Sequence, residues 1–342
     1  MNRRERFERY LAGQPVDRVP LGFWHHYCWY TEMGTGLTDQ AMFEKNVEGH
    51  RLSKQIFEPD IVKIMTDSLI TLPLDLSAVS SVSDLKNIEP ISVHSEFVQK
   101  NVELVSRVRD MYDDDVPIFT TGFTPLFPLR NALTDGLLDQ KGLRFLAYFK
   151  EDPEAVADAL AILGEGIMEM HRYIISQCGI DGIYFSVNNR NHYLPDNLYR
   201  KYISPSEKAV LDDANRYART NLLHICGSAG QSNNLEIFRD YNAAAFNWSI
   251  VTEGVSLAEG REFFKKPVFG GFEQTGVLYN GTPEDVEAFT FRLLDESGQT
   301  GIMLGADCTL PLDVDEKRYH WVKQAAEKYA QQHPAETDWE WR

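Results

Sequence analysis

Short apolar runs separated by amphipathic stretches recur along the whole chain. They occupy residues 19–23, 61–66, 117–121, 182–186, 222–226, 244–248, 267–270 and 301–305. Most are apolar through their length rather than alternating, the pattern of strands buried on both faces. Helical patterns lie between them, and two can be followed residue by residue. Asp152 is placed to cap a helix with Pro153 in its first turn. Val156, Leu160, Leu163, Ile167, Met170 and Ile174 then form one stripe that stops at Cys178-Gly179, and a strand follows from Gly182. The same grammar returns with Thr282, Pro283 and Glu284, a stop at Gly298, and a strand from Gly301. Eight strands alternating with helices predict a closed, parallel (β/α)8 TIM barrel, with an open doubly wound sheet as the alternative. No G-x-G-x-x-G follows the first strand, so the open sheet lacks its usual cofactor signature. No linker or low-complexity segment divides the chain, and a single domain over residues 1–342 is expected.

A barrel places its chemistry at the C-terminal ends of its strands. Read in order, those ends offer Trp24, His25 and His26; Asp67; Thr121 and Gly122; Ser186 and Asn188; His224 and Cys226; Asn247 and Trp248; Gly271 to Gln274; and Asp307 with Cys308. Side chains alternate along a strand, so His224 and Cys226 project from one face of the fifth. An imidazole and a thiolate that converge with Cys308 would make a zinc site with one open position, the arrangement used for catalysis. The same residues also suit packing, because Cys is among the most buried residue types and a lone His is often a satisfied core residue. Cys28 and Cys178 lack a nearby His or Cys and read as packing residues.

Composition removes several classes of function. The formal charge of −17 lacks the basic face that a nucleic acid needs. No apolar run reaches the ~18 residues of a membrane span. The opening, Met1-Asn-Arg-Arg-Glu-Arg-Phe7, reads as a charged amphipathic start rather than a signal peptide. Four cysteines in 342 residues make no disulfide framework and suit a reducing cytoplasm.

Several segments carry a family resemblance. The opening from Arg4 through Tyr10-Leu11, Pro15, Asp17-Arg18 and Pro20 is one. Others are Phe57-Glu-Pro-Asp60-Ile-Val-Lys63-Ile-Met-Thr-Asp67, Gly281-Thr-Pro-Glu284 and Gly301-Ile-Met-Leu-Gly-Ala306. Together they resemble the uroporphyrinogen decarboxylase superfamily over nearly the whole chain, which implies a distorted (β/α)8 barrel. The superfamily has two chemistries. Its decarboxylases use an Arg-rich segment after the first strand to bind the acid groups of a tetrapyrrole. Here that place reads Phe23-Trp24-His25-His26-Tyr27-Cys28-Trp29-Tyr30, without an arginine, although Asp67 matches the decarboxylases' key aspartate. The other branch, cobalamin-dependent methyltransferases of the methylcobalamin:coenzyme M type, carries H-x-C and a distant Cys. His224-Ile-Cys226 and Cys308 match that motif.

The second resemblance implies zinc on His224, Cys226 and Cys308, a small thiol as methyl acceptor, and methylcobalamin as the corrinoid donor. No corrinoid-binding module is visible in the chain, so a corrinoid protein is the expected partner. Tetrapyrrole decarboxylation and a non-catalytic barrel binding a corrinoid or a partner stand as alternatives, and monomer and homodimer are both open. Two catalytic candidates accompany the metal set. Glu273 is expected as a displaceable fourth ligand or a hydrogen-bond partner of His224, against a plain surface carboxylate; Asp67 is expected to anchor or deprotonate the acceptor. Trp24, His25 and His26, with Tyr27, Trp29 and Tyr30, are candidates for a wall of the substrate or corrinoid cleft or for core and interface filler, and a mixture of the two is expected. Asn188 and Arg190 belong to a polar loop after the fourth strand, where Arg190 would read a carboxylate or sulfonate. Asp307 is expected to point away from Cys308 and cap a helix.

Overall fold

A computed structural model describes residues 1–133, 143–189, 194–227 and 230–334. Its eight strands are all parallel: β1 Leu21–Gly22, β2 Val62–Ile64, β3 Ile118–Gly122, β4 Gly182–Val187, β5 Leu222–Ile225, β6 Ala245–Trp248, β7 Val268–Phe272 and β8 Ile302–Ala306. The hydrogen-bonded order runs β1-β8-β7-β6-β5-β4-β3-β2, so the first strand pairs with the last and the sheet curls into a (β/α)8 TIM barrel. Each of the eight apolar runs overlaps one strand. The first is the most shortened: Pro20 has no N–H to give the ladder, and only its carbonyl takes part, accepting from Leu304 at 2.9 Å.

Both faces of the strands are buried, which is why they read as apolar runs. Leu222 belongs to an inner cluster that fills the barrel, with Phe119, Tyr184, Phe269 and Met303. Leu223 and Ile225 belong to the outer layer beneath the helices. His224 therefore shares the inward parity of Leu222. The floor of the barrel is closed by the N-terminal helix Arg3–Leu11, which contributes Phe7 and Tyr10 to the inner cluster.

The seam between β1 and β2 is held by one buried carboxylate. The Asp60 N–H donates to Leu21 O at 2.8 Å, and its Oδ2 accepts from Leu21 N–H at 2.8 Å. Arg6 reaches Asp60 Oδ1 at 2.7 Å, and Arg18 reaches Oδ2 at 2.6 Å and Oδ1 at 3.0 Å. Thus the N-terminal segment, the first strand and the second strand meet on a side chain that is 2% exposed.

The two helices read in detail are present. Pro153–Cys178 is capped by Asp152, whose side chain accepts from Ala155 N–H, and it ends on Gly179 in the left-handed region at φ 62°. Pro283–Ser297 begins with a capping box between Thr282 and Asp285. Among the described residues no helix is long and apolar enough to cross a membrane.

Candidate metal centre at the barrel mouth

His224 is the third residue of β5, and Cys226 lies just past its end, where its N–H still donates to Val187 O at 2.8 Å. Cys308 follows β8 by two residues. The barrel brings these three together: Cys308 Sγ lies 3.4 Å from His224 Nε2 and 3.9 Å from Cys226 Sγ. All three donor atoms fall within 4.8 Å of one another. Zinc bond lengths of about 2.3 Å to sulfur and about 2.05 Å to nitrogen, at tetrahedral angles, would separate two sulfurs by about 3.8 Å and sulfur from nitrogen by about 3.5 Å. The donor set and its spacing fit zinc. Without a cation, the contact with Cys226, followed by burial, holds the Cys308 thiol well above its ordinary pKa. A bound dication would reverse that, because it favours the thiolates.

The imidazole is oriented by Asn247, on the neighbouring strand β6. Asn247 Nδ2 donates to Phe269 O at 2.8 Å and Ala306 O at 3.2 Å, which fixes the amide with its oxygen towards His224. That oxygen accepts from His224 Nδ1 at 2.5 Å and from the Tyr184 hydroxyl at 3.0 Å. The proton of the ring is therefore on Nδ1, and Nε2 presents a lone pair to the sulfurs. The Tyr184 ring stacks on His224 with centroids 5.3 Å apart. Sequence reading placed Asn247 at a strand end without a role; adjacency of the fifth and sixth strands was the available signal.

Glu273 is exposed and stands outside the converging group, and the nitrogen it was expected to hold is bonded to Asn247 instead. β7 runs on to Phe272, Gly270 and Gly271 take φ values of 135° and 106°, and Glu273 follows the strand as an exposed carboxylate, the alternative the sequence had offered. Asp307 behaves as expected: it turns away from Cys308, accepts from Gly271 N–H at 2.8 Å, and accepts from Ile250 N–H at 3.0 Å at the start of a short helix. Burial pushes its carboxyl up to about 7.

The aromatic segment after β1 divides. Trp24 points into the barrel, edge-on to Tyr184 and Phe269, and is a filler beneath the centre rather than a wall above it. His25 is also buried, against Tyr27 and 3.5 Å from Glu316, and burial lowers it to about 4. Only His26 of these three is partly open, with Nδ1 at 3.0 Å from Asp67 Oδ1 and its ring against exposed Tyr30. Asp67 is wholly buried and also accepts from Tyr27 N–H at 2.6 Å and Cys28 N–H at 3.3 Å. Burial alone would raise this carboxyl, but His26 and the Tyr27 N–H outweigh it and keep its pKa below the ordinary value.

A pocket opens beside the centre, with Cys226, Ser186, Asn188, Thr121, Phe123 and Arg130 among its walls. Asn188 thus lies where expected, and its Oδ1 accepts from Arg130 at 3.2 Å. Arg190 lies outside the described residues. Arg130, in the helix Leu126–Ala132 just after β3, is the cation among the described pocket walls, and sequence reading passed over it because it sits inside a helix rather than at a strand end. Glu207 lines the same pocket; burial raises its carboxyl to about 7 although the Tyr241 and Tyr199 hydroxyls donate to it at 2.7 and 3.0 Å. Its folded pKa exceeds the unfolded one, so its contribution to stability is complete below the unfolded value near 4.5 and is lost as pH rises through about 7. Urea unfolding at pH 5 and pH 8 should show Glu207→Gln gaining on the wild type at the higher pH; an unchanged difference would mean that Glu207 is ionised throughout.

Comparisons with known proteins agree with this architecture. The family model described as uroporphyrinogen decarboxylase (URO-D) matches residues 65–329. Methylcobamide:CoM methyltransferase MtbA of Methanosarcina mazei is 23% identical over 316 residues, covering 85% of this chain and 88% of that protein. The protein of the same name from Methanosarcina acetivorans is 29% identical over 99 residues, 29% of this chain and 28% of its own. Among solved structures, a methyltransferase from Methanosarcina mazei superposes with a TM-score of 0.68 at 14% identity, covering 96% of this chain and 99% of the other. A B12-independent methionine synthase from a Shewanella species follows at 0.57 and 15%, covering 92% and 98%. At such identities these two structures establish the fold alone. The family model spans most of the chain, from the end of β2 to the last described helix, and the protein belongs to the uroporphyrinogen decarboxylase (URO-D) family.

Proposed function

We propose that the protein is a zinc-dependent methyltransferase that moves a methyl group from a corrinoid of the methylcobalamin type, carried by a partner protein, to the sulfur of a small thiol. The observation that carries this reading is the convergence of His224 Nε2, Cys226 Sγ and Cys308 Sγ at the barrel mouth. The name borne by the Methanosarcina relatives supports the same chemistry.

A thiol with a pKa near about 8.5 is mostly protonated at neutral pH, and the thiolate is the nucleophile. Zinc held by His224, Cys226 and Cys308 would supply the Lewis acidity that keeps an acceptor sulfur deprotonated. Two cysteine thiolates offset the charge of the cation, so that sulfur stays nucleophilic. Asn247 holds the His224 tautomer. Asp67 orients His26 through Nδ1, leaving Nε2 free to take the proton that leaves the acceptor. Asn188 and Arg130 line the pocket beside Cys226 and would orient the rest of the acceptor. Its sulfur then attacks the methyl carbon in line, the new S–C bond forms, and the electron pair of the broken bond stays with cobalt. The exposed rings of Trp29 and Tyr30, in the segment after His26, would offer a docking corrinoid protein an aromatic surface.

Decarboxylation of a tetrapyrrole polyacid draws less support. Arg6 and Arg18 are bound to Asp60 at the opposite end of the barrel, and Asp67 is engaged by His26 and two backbone N–H groups. The test is metal analysis of protein purified without chelator or added zinc, paired with methyl transfer from free methylcobalamin to thiols. About one zinc per chain and loss of methylcobalamin absorbance are expected. Zinc-free protein would sink the mechanism; zinc without transfer to any thiol would favour a binding barrel with a structural metal.

A further inference from the structure

Lys63 is a buried cation inside the barrel. Its neighbours Val62 and Ile64 belong to the outer layer, whereas Ile61 and Met65 belong to the inner cluster, so Lys63 shares the inward parity. It is 7% exposed, and its Nζ lies 2.9 Å from Met65 Sδ and 5.6 Å from the centroid of Tyr184. The Tyr184 ring is the one that stacks on His224. Burying an ammonium costs several kcal/mol, which a thioether and an aromatic ring offset only in part. Burial lowers Lys63 to about 8, and three groups oppose that shift: Asp67, Cys308 and Cys226. His50, from the helix Gln40–Ile56, is the further titratable group acting on it, and burial holds that imidazole low, at about 4, hence neutral.

The charges can be counted on the metal–thiol reading, on which this inference rests. A dication with two cysteine thiolates and a neutral imidazole sums to zero. An incoming thiolate makes the centre anionic, with the Asp67 carboxylate on the same end of the barrel. We propose that Lys63 is a positioning residue whose buried charge stabilises the acceptor sulfur as a thiolate at the metal. It acts through the field rather than by contact, and the sign is specific: it favours an anionic ligand and is indifferent to a neutral one.

Cobalt(II) in place of zinc makes this measurable, since ligand-field bands report metal occupancy and sulfur-to-cobalt charge transfer reports a bound thiol. The probes are 2-mercaptoethanol, which binds as a thiolate without another charge, and imidazole, which binds neutral. For Lys63→Met and Lys63→Gln, the thiol Kd at pH 7 is expected to rise about tenfold, ~1.4 kcal/mol. The pH midpoint of thiol binding should move up by about one unit in both, while imidazole binding and cobalt occupancy stay unchanged. Two neutral replacements of different polarity guard against a packing defect in either one. Equal weakening for thiol and imidazole would assign Lys63 a merely structural role, and no change for either would leave its charge without effect; both outcomes overturn the proposal. A wild type that takes up no cobalt would instead sink the metal reading, and the Lys63 proposal with it.

Discussion

Cys308→Ala is expected to strip the metal and lower methyl transfer by about three orders of magnitude, as several kcal/mol of Lewis-acid stabilisation is lost. Cys308 is the informative member of the set because it stands alone on its side of the barrel. His224 and Cys226 are two residues apart at the end of β5, whereas Cys308 arrives from β8, with β6 and β7 between. Removing it leaves an imidazole and a single thiolate, too few protein ligands for a zinc site of this kind. The substitution should not disturb the barrel, since the main chain is carried past this point by the bond from Asp307 N–H to Phe272 O. Elemental analysis and thermal unfolding of the variant check both halves of the expectation. Cys178→Ala is the control: that thiol packs between helices beside Ser106 and should leave metal content unchanged. Full zinc occupancy in Cys308→Ala would mean that the metal, if any, is held elsewhere.

Asp60→Ala should be the most destabilising single substitution at the floor of the barrel, costing about 3–5 kcal/mol. The loss is larger than that of one ion pair because Asp60 answers several donors at once. Arg18 would be left as a buried guanidinium without its close carboxylate, Arg6 would keep only Asp17, and Leu21 N–H would lose its acceptor at the β1–β2 seam. Asp60→Asn keeps an acceptor oxygen for Leu21 but loses the charge, so it should fall between wild type and alanine. Replacing Arg18 by Met in the Asp60→Ala background should recover part of the loss, because a buried charge then no longer lacks its close counter-ion. Chemical unfolding gives the ranking. An Asp60→Ala variant within about 1 kcal/mol of wild type would show that water replaces the carboxylate at the seam.

The barrel was readable because its strands are buried on both faces, and two buried faces write themselves as unbroken apolar runs. Strand parity also carried over to the candidate metal ligands: a two-residue spacing keeps His224 and Cys226 on one face wherever the strand is regular. It says nothing about Glu273, which follows two consecutive glycines of positive φ and stands exposed. Asn247 and Lys63 were hidden for a different reason. Their significance comes from neighbours on other strands, Phe269, Ala306 and His224 for one and Tyr184 for the other, and a single sequence does not display those pairs. Trp24 and His25 were read as cleft wall or as filler because they follow a strand; β1 ends early and its alternation continues, which puts Trp24 inside the barrel and His25 against Tyr27 and Glu316. Arg130 lines the pocket from the helix after β3, a place that strand-end reading does not search.

The pairing of β1 with β8 has a consequence for the order of events at synthesis. Leu21 meets Leu304 and Gly22 meets Gly305, so the first strand to leave the ribosome waits for the last before its ladder exists. Cys308 lies only a few residues beyond that final strand. Before it emerges, His224 and Cys226 would form an incomplete pair, with too few ligands to hold zinc tightly. On the proposed zinc reading metal capture would be a late event, and a tightly held ion would certify that the ring of strands has shut.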